Sequence, residues 1–484
     1  QAILAQVQAT LARATCLLPS GSLAKPHAQL HGLNSMSGIL VLPPALLLLL
    51  AAPSVLGTLP RSAAAPAELS GQQCVTADLA GGGGHGAVGL LQASARPRHA
   101  AAERSRPSST PMAAQLARAT QCLSLTDSSI RLAYPADAEA HFAQIHETLR
   151  PWLAIAQKCG PEDVSTRLAW CEVNGMWPPN KHVARMWLEA SWDKVHAQPA
   201  NSSLSDIFGP YIPLLIPWDR LQMFSPDLMR YPSGFLETLM SALRPDVPYI
   251  TVVSWDEGLE GTTGSEGQDP AVACQLAMSW VPSLTVLSAG GNGHVAVPLF
   301  TGSPELELRN QKPMEERDYL MTFLGTIGHA PHYLRERMTA VLAEKASELG
   351  FQHYNGRADN WTDLMADSRL SLSPRGWGRT AYHLMEILQM GLVPIHVYTD
   401  TPWVPYPELY EQWGYVVSIA DFSGFVDRVH KVSLEELRKK EALITQYRES
   451  HFTAAGAVRQ IDSFMYGGGD LRCRAAPATR RDTG

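Results

Sequence analysis

Two arginines, Arg375 and Arg379, stand four residues apart with Gly376 and Gly378 interleaved and Thr380 directly after. The text from Ser368 onward reads as a short strand, a glycine-containing turn and the start of a helix. Amides at a helix start lack intrahelical partners and the helix dipole is positive there, so such a turn favours an anion. Guanidinium groups add planar, charge-assisted donors suited to a diphosphate, and glycine lets the backbone approach a ligand closely. Ser373 closes the strand side of the turn, while His383 and Glu386 fall in the helix that follows. A carboxylate at Glu386 is placed to accept hydrogen bonds from sugar or ribose hydroxyls. On spacing alone an ordinary surface turn remains a competitor, because neither a dinucleotide-binding fingerprint nor a Walker motif is present.

Asp256 and Glu257 are the other residues with catalytic potential. They follow the apolar run 249–253 and precede Gly258, as side chains delivered by a strand to a crevice would. A turn-forming Asp before glycine explains them equally well. His329 and His332 are separated by Pro331 and have no third ligand nearby in sequence, so a loop pair is favoured over a metal site. No Gly-x-Ser-x-Gly elbow occurs, which disfavours an ordinary serine hydrolase.

The elements that must position these residues are legible as alternation. Helical spacing covers 138–157 and 181–196. Short apolar runs at 211–216, 249–253, 284–287 and 295–300 read as buried strands. A second unit begins after Pro313, with strands at 319–324, 370–373, 392–397 and 415–419. Helices at 332–349 and 381–390 separate them, closed by Gly350 and Gly391. Ser433 and Glu436 form a capping box that opens a long helix to about 451. Strand–helix alternation predicts parallel sheets covered by helices, and ligands of such sheets bind beyond the carboxyl ends of the strands.

The chain has 484 residues, a net charge of −7 and 45% apolar residues, enough for two or three domains with substantial cores. A nucleic-acid partner is not expected, since the basic excess it needs is missing. Residues 1–119 carry a net +5 and the remainder −12. The segment 36–59 reads as a secretory signal peptide or, around 38–59, a membrane anchor, interrupted by Pro43, Pro44 and Pro53. Translation is expected to begin at Met36. Residues 60–118 are rich in Ala, Pro, Ser, Arg and Gly and read as a stem, so the N-terminal region is expected to be disordered. Asn201 and Asn360 head glycosylation sequons. One or two disulfides are expected among Cys122, Cys159 and Cys171, and 467–484 is expected to be a solvated, disordered tail.

The turn and its flanks resemble the donor-site signature of the exostosin family, glycosyltransferase family 47. Ser373-Pro-Arg-Gly-Trp-Gly-Arg-Thr-Ala is followed by Met385-Glu-Ile and Gly391-Leu-Val-Pro-Ile. Arg317-Asp-Tyr-Leu-Met-Thr-Phe-Leu-Gly325 is similar to the family's Arg-x-x-Leu-x-x-Phe-x-Gly strand, and Arg335 follows in the next helix. Val404-Pro-Tyr-Pro-Glu408 and Trp413 complete the order. The resemblance covers roughly 205–465 and departs from the family at His383, where Arg is usual. It implies a GT-B fold, with two Rossmann-like domains facing a cleft: an acceptor side over 119–312 and a donor domain over 313–466. It also implies inverting transfer from a nucleotide sugar, UDP-linked, to a polysaccharide or glycoprotein glycan in the Golgi lumen. Donor binding then falls to Gly325, Arg335, Ser373, Arg375, Gly376, Gly378, Arg379, Thr380, His383 and Glu386, and the general base to Asp256 or Glu257. No Asp-x-Asp occurs in the chain, so arginines rather than a metal are expected to neutralise the diphosphate, and no cofactor is expected. The alternative is a non-catalytic sugar-binding relative serving as a partner subunit, and homo- or hetero-oligomers fit either reading.

Overall fold

A computed structural model of the chain describes residues 111–123, 131–157, 183–199, 202–223, 231–256, 258–259, 281–300 and 305–474. The signal or anchor segment, the stem up to 110, Cys159, Cys171, Asn201, Glu257 and 475–484 lie outside the described residues. The expected α/β class and both parallel sheets are present.

The first sheet runs β1 (Ile212–Pro213), β2 (Tyr249–Val253), β3 (Leu284–Ser288) and β4 (Val295–Ala296), all parallel and in sequential order. Every residue of β2 and β3 is buried, as parallel strands covered on both faces must be. Helices α1 (Met112–Leu123), α2 (Ala138–Gln157), α3 (Val183–His196) and α4 (Phe235–Ala242) accompany it. Two expected strands are shorter than the apolar runs that suggested them. Pro213 and Pro298 cannot donate to a ladder, so pairing is confined to two residues in β1 and β4. Leu214, Leu215 and Ile216 are buried all the same, so their apolar character records burial rather than strand.

In the second sheet the order is β6 (His353–Gly356), β5 (Tyr319–Leu324), β7 (Ser368–Pro374), β8 (Pro394–Tyr398), β9 (Tyr415–Ser418), again parallel. Its helices are α5 (Leu334–Leu349), α6 (Trp361–Ala366), α7 (Tyr382–Gln389), α8 (Pro407–Trp413), α9 (Phe422–Val429), α10 (Leu434–Tyr447) and α11 (Ala454–Met465). Gly350 and Gly391 take φ of 71° and 78°, the left-handed stop expected of them. The capping box is half made. Ser433 Oγ accepts from Glu436 N at 3.2 Å, but the Glu436 carboxylate accepts instead from the Tyr415 hydroxyl. The expected helix to 451 ends at Tyr447 and gives way to a π-helical turn, Arg448–Phe452.

Arg317, from the family-like strand signature, is 3% exposed and donates to both oxygens of Glu441 in α10, at 2.7 and 3.1 Å. It fastens the approach to β5 and has no contact with the turn at 374–380.

Two boundaries differ from expectation. Helix α1 begins at Met112, inside the segment assigned to the stem, because its apolar face buries Ala119, Cys122 and Leu123. The tail is also structured as far as 474. Helix α11 packs on α3, where Lys194 pairs with Asp462 at 2.6 Å, and a strap follows that returns to the first sheet. Leu471 is buried, Cys473 forms an antiparallel bridge with Val295, and Cys473 is disulfide-bonded to Cys122. The partner of Cys122 is therefore Cys473, which lies in the segment read as a solvated tail.

Candidate anion site at the strand-order switch

Strand order in the second sheet reverses between β5 and β7, since β6 lies to one side of β5 and β7, β8 and β9 to the other. The chain leaves both strands at their carboxyl ends in opposite directions, which opens a crevice there. Gly325 marks one lip and the turn 374–380 the other. Arg335, in the first turn of α5, bridges the two. Its Nη1 donates to Thr326 O at 2.8 Å and its Nε to Arg375 O at 3.1 Å. The guanidinium stands 5.5 Å from the centroid of the Phe323 ring, and the residue is 8% exposed. A Cβ on Gly325 would stand 3.1 Å from the same ring. No carboxylate of the described residues is within ion-pair distance of Arg335, and burial lowers its pKa to about 10. Its Nη2 lies 3.6 Å from where a Cβ on Gly376 would be, so a side chain at Gly376 would crowd the donor facing the turn.

The turn itself is internally braced. Arg375 N donates to Val397 O, Gly376 N to Thr380 O and Arg379 N to Gly290 O. Arg375 is 4% exposed and directs Nε to Gly378 O, Nη2 to Trp377 O and Nη1 to Asp400 Oδ1. Arg379 donates Nε to Asp400 Oδ2 at 2.8 Å and Nη1 to Asn292 Oδ1. Asp400, one residue pair beyond β8, thus serves one oxygen to each arginine. Burial alone would raise its pKa, but the Arg379 hydrogen bond and the Arg375 charge hold it near 2. Thr380 is buried, and Ser373 Oγ is buried with no hydrogen-bond partner. With these groups engaged in holding the turn, Arg335 is the guanidinium beside it that no carboxylate of the described residues pairs. The N-cap of α7 is Ala381, which supplies no capping side chain.

His383 and Glu386 sit on α7 and bind each other, Nδ1 to Oε2 at 2.9 Å. The carboxylate accepts, so Nδ1 carries the proton. His383 Nε2 is buried without a partner, and the ring meets Phe323 edge-on at 6.4 Å. His329 packs against Trp377 at 5.2 Å. His332 and Tyr333 hold consecutive left-handed backbone, φ 58° and 51°, and Tyr333 is 66% exposed just ahead of Arg335. Such strain in side-chain-bearing residues collects at functional sites.

The carboxyl ends of β2 and β3 close over the turn from the first sheet. A Cβ on Gly378 would fall 2.5 Å from Asp256 O and 2.8 Å from Gly290 O. Burial raises the Asp256 pKa, against the Gly378 N–H and the Arg375 charge. A second carboxylate, Asp219, lies beyond the first strand. Burial raises it to about 6, opposed by the Ser254 amide and reinforced by Asp256, and its Oδ1 has no partner. The charges of both reach Tyr382, whose hydroxyl burial and these charges keep protonated. Sequence reasoning missed Asp219 and Asp400. Both directly follow the carboxyl end of an apolar run, which was the available signal.

No family model matches the chain, and no curated protein matches it in sequence. Among solved structures, that of a GtfA/B complex is similar at 12% identity and a TM-score of 0.32, covering 51% of this chain and 60% of that one. The structure of TarM is similar at 8% identity and a TM-score of 0.28, covering 49% and 54%. The chain thus spans less than two thirds of the length of either neighbour.

Proposed function

We propose that this chain is a glycosyltransferase of exostosin type, acting on a nucleotide-sugar donor and a glycan acceptor. The observation that carries the reading is Arg335, a buried guanidinium joining both lips of the strand-switch crevice with no carboxylate of the described residues within ion-pair distance. A buried charge of this kind is costly unless something neutralises it. A diphosphate seated between Arg335 and the first turn of α7 does so. Arg375 and Arg379 act behind it, holding the turn in shape through Asp400.

In the inverting reaction we propose, the acceptor hydroxyl attacks the anomeric carbon opposite the diphosphate. The bond from that carbon to the diphosphate oxygen breaks, the oxygen takes the electron pair, and the acceptor proton passes to a carboxylate of the first sheet. Asp256 and Asp219 are the carboxylates we assign to that role. Glu386, held by His383, is assigned to donor hydroxyls. A UDP-linked donor and residence in the secretory pathway, in the Golgi lumen, belong to the same proposal. The Cys122–Cys473 disulfide supports the compartment, since such bonds persist in oxidising environments.

Nucleotide release from a panel of nucleotide sugars tests this. Arg335→Gln is expected to lower kcat/KM at least about 100-fold, about 2.7 kcal/mol of lost transition-state binding, with the fold intact by circular dichroism. Equal release by Arg335→Gln and the unaltered chain would remove the basis for the assignment.

A further inference from the structure

A second guanidinium stands at the β5 lip of the crevice. Thr326 follows Gly325 there, and its two oxygens serve two different arginines. Its carbonyl accepts from Arg335 Nη1 at 2.8 Å, and its hydroxyl accepts from Arg357 Nε at 2.9 Å and Nη2 at 2.5 Å. The two arginines therefore flank one residue, Arg335 arriving from α5 and Arg357 from the carboxyl end of β6. The end of β6 fixes where Arg357 starts. Gly356 O accepts from Gly325 N at 2.9 Å, and the Arg357 carbonyl accepts from the Tyr354 hydroxyl at 3.0 Å. Gly356 takes a φ of 131°, which suits glycine alone, and a Cβ there would meet nothing within 4 Å. The space beside this strand end is thus open, and Arg357 is exposed to it. His329, whose ring packs on Trp377 of the turn at 5.2 Å, is near both guanidiniums: burial lowers its pKa, and the charges of Arg335 and Arg357 lower it further.

Neither arginine has a carboxylate of the described residues within ion-pair distance. Arg357 directs two donors to a single hydroxyl oxygen, and its Nη1, like Nη2 of Arg335, has no acceptor among the described residues. Two like charges anchored on one residue repel until an anion joins them, and each guanidinium presents planar donors suited to a phosphoryl group. We propose that Arg357 is a ligand of the anion in this crevice, taking one phosphoryl group of a diphosphate while Arg335 takes the other. The proposal rests on reading the crevice as a phosphate site and deepens it, since a pair of guanidiniums on one anchor selects a diphosphate over a single phosphate.

Calorimetry of inorganic pyrophosphate and of orthophosphate with the full chain tests it. Arg357→Gln is expected to raise the pyrophosphate Kd about 10-fold, the effect of one charge-assisted contact, and the orthophosphate Kd by less. Arg337→Gln, which removes an exposed charge from the same helix as Arg335, is expected to change neither. Thr326→Val keeps the carbonyl that Arg335 uses and removes the hydroxyl, so it is expected to raise the pyrophosphate Kd less than Arg357→Gln does. An unchanged pyrophosphate Kd in Arg357→Gln overturns the proposal. So does an equal rise for the two anions, or an equal loss in Thr326→Val, which would make Arg357 a brace for Thr326. If Arg335→Gln still weakens pyrophosphate binding in any of these cases, the crevice reading stands and the Arg357 assignment alone fails. If the unaltered chain binds no pyrophosphate, both fail together.

Discussion

Arg317 and Arg335 are both buried, 3% and 8% exposed, and they differ in what faces them. Arg317 meets Glu441 with two hydrogen bonds, whereas Arg335 meets two backbone carbonyls and the Phe323 ring, with no carboxylate of the described residues in ion-pair distance. The first is a closed pair and the second is open to a ligand. Removing one partner of a buried pair strands the other, so Arg317→Ala is expected to cost about 3–5 kcal/mol. Replacing both partners with apolar residues of similar size, Arg317→Met with Glu441→Leu, should recover most of that in denaturant unfolding. Equal loss in the single and double variants would contradict the pairing account. Arginine content and spacing in the turn were readable from sequence. The sharing of Asp400 was not, because it joins residues more than twenty positions apart through the pairing of β7 with β8. The role of Arg375 shifts accordingly, from the ligand contact expected of it to a brace within the turn.

Glycines separate the functional elements from the merely helical ones. Gly378 packs against the carbonyls of Asp256 and Gly290, so Gly378→Ala must push the turn away from the ends of β2 and β3. Donor turnover is expected to fall at least about tenfold, roughly 1.4 kcal/mol, and steady-state kinetics would show it. Gly424 in α9 is exposed, and the nearest atom to an added Cβ is the flexible end of Arg428 at 3.6 Å. Gly424→Ala is expected to stabilise the fold by about 0.5–1 kcal/mol through the unfolded chain and helix propensity, visible as a raised Tm with activity unchanged. Elements with apolar periodicity, such as β2, β5 and α2, were legible within a residue or two. Strand β6, His353–Gly356, was not, because it is a polar edge strand with no alternating pattern. Helix α11 escaped notice because the π-helical turn before it interrupts the 3.6-residue period.

Two buried histidines tie the stability of the molecule to pH. His146 hydrogen-bonds Phe142 O through Nδ1 and accepts the Leu215 amide at Nε2, which requires the neutral ring. His396 is 0% exposed in β8. Burial lowers both to about 4. Between pH 6.5 and 4 these two rings therefore bind more protons in the unfolded chain than in the folded one, and their contribution to stability falls as pH drops through that window, by up to about 1.4 kcal/mol per pH unit for each ring. Urea midpoints at pH 7 and pH 5 should differ, and His146→Gln, which can keep both hydrogen bonds, should flatten the slope. An equal slope in His146→Gln and the unaltered chain would refute neutral burial of His146. The strap was illegible for a related reason of distance, since a lone cysteine does not announce its partner. Its return to the first sheet orders events during synthesis. Helix α3 and the edge strand β4 emerge from the ribosome long before α11 and Cys473 exist to cover them, so the earlier half must wait, partly unclothed, for residues 454–473. Nascent chains released just short of the strap should accordingly be retained by chaperones rather than progress as finished protein.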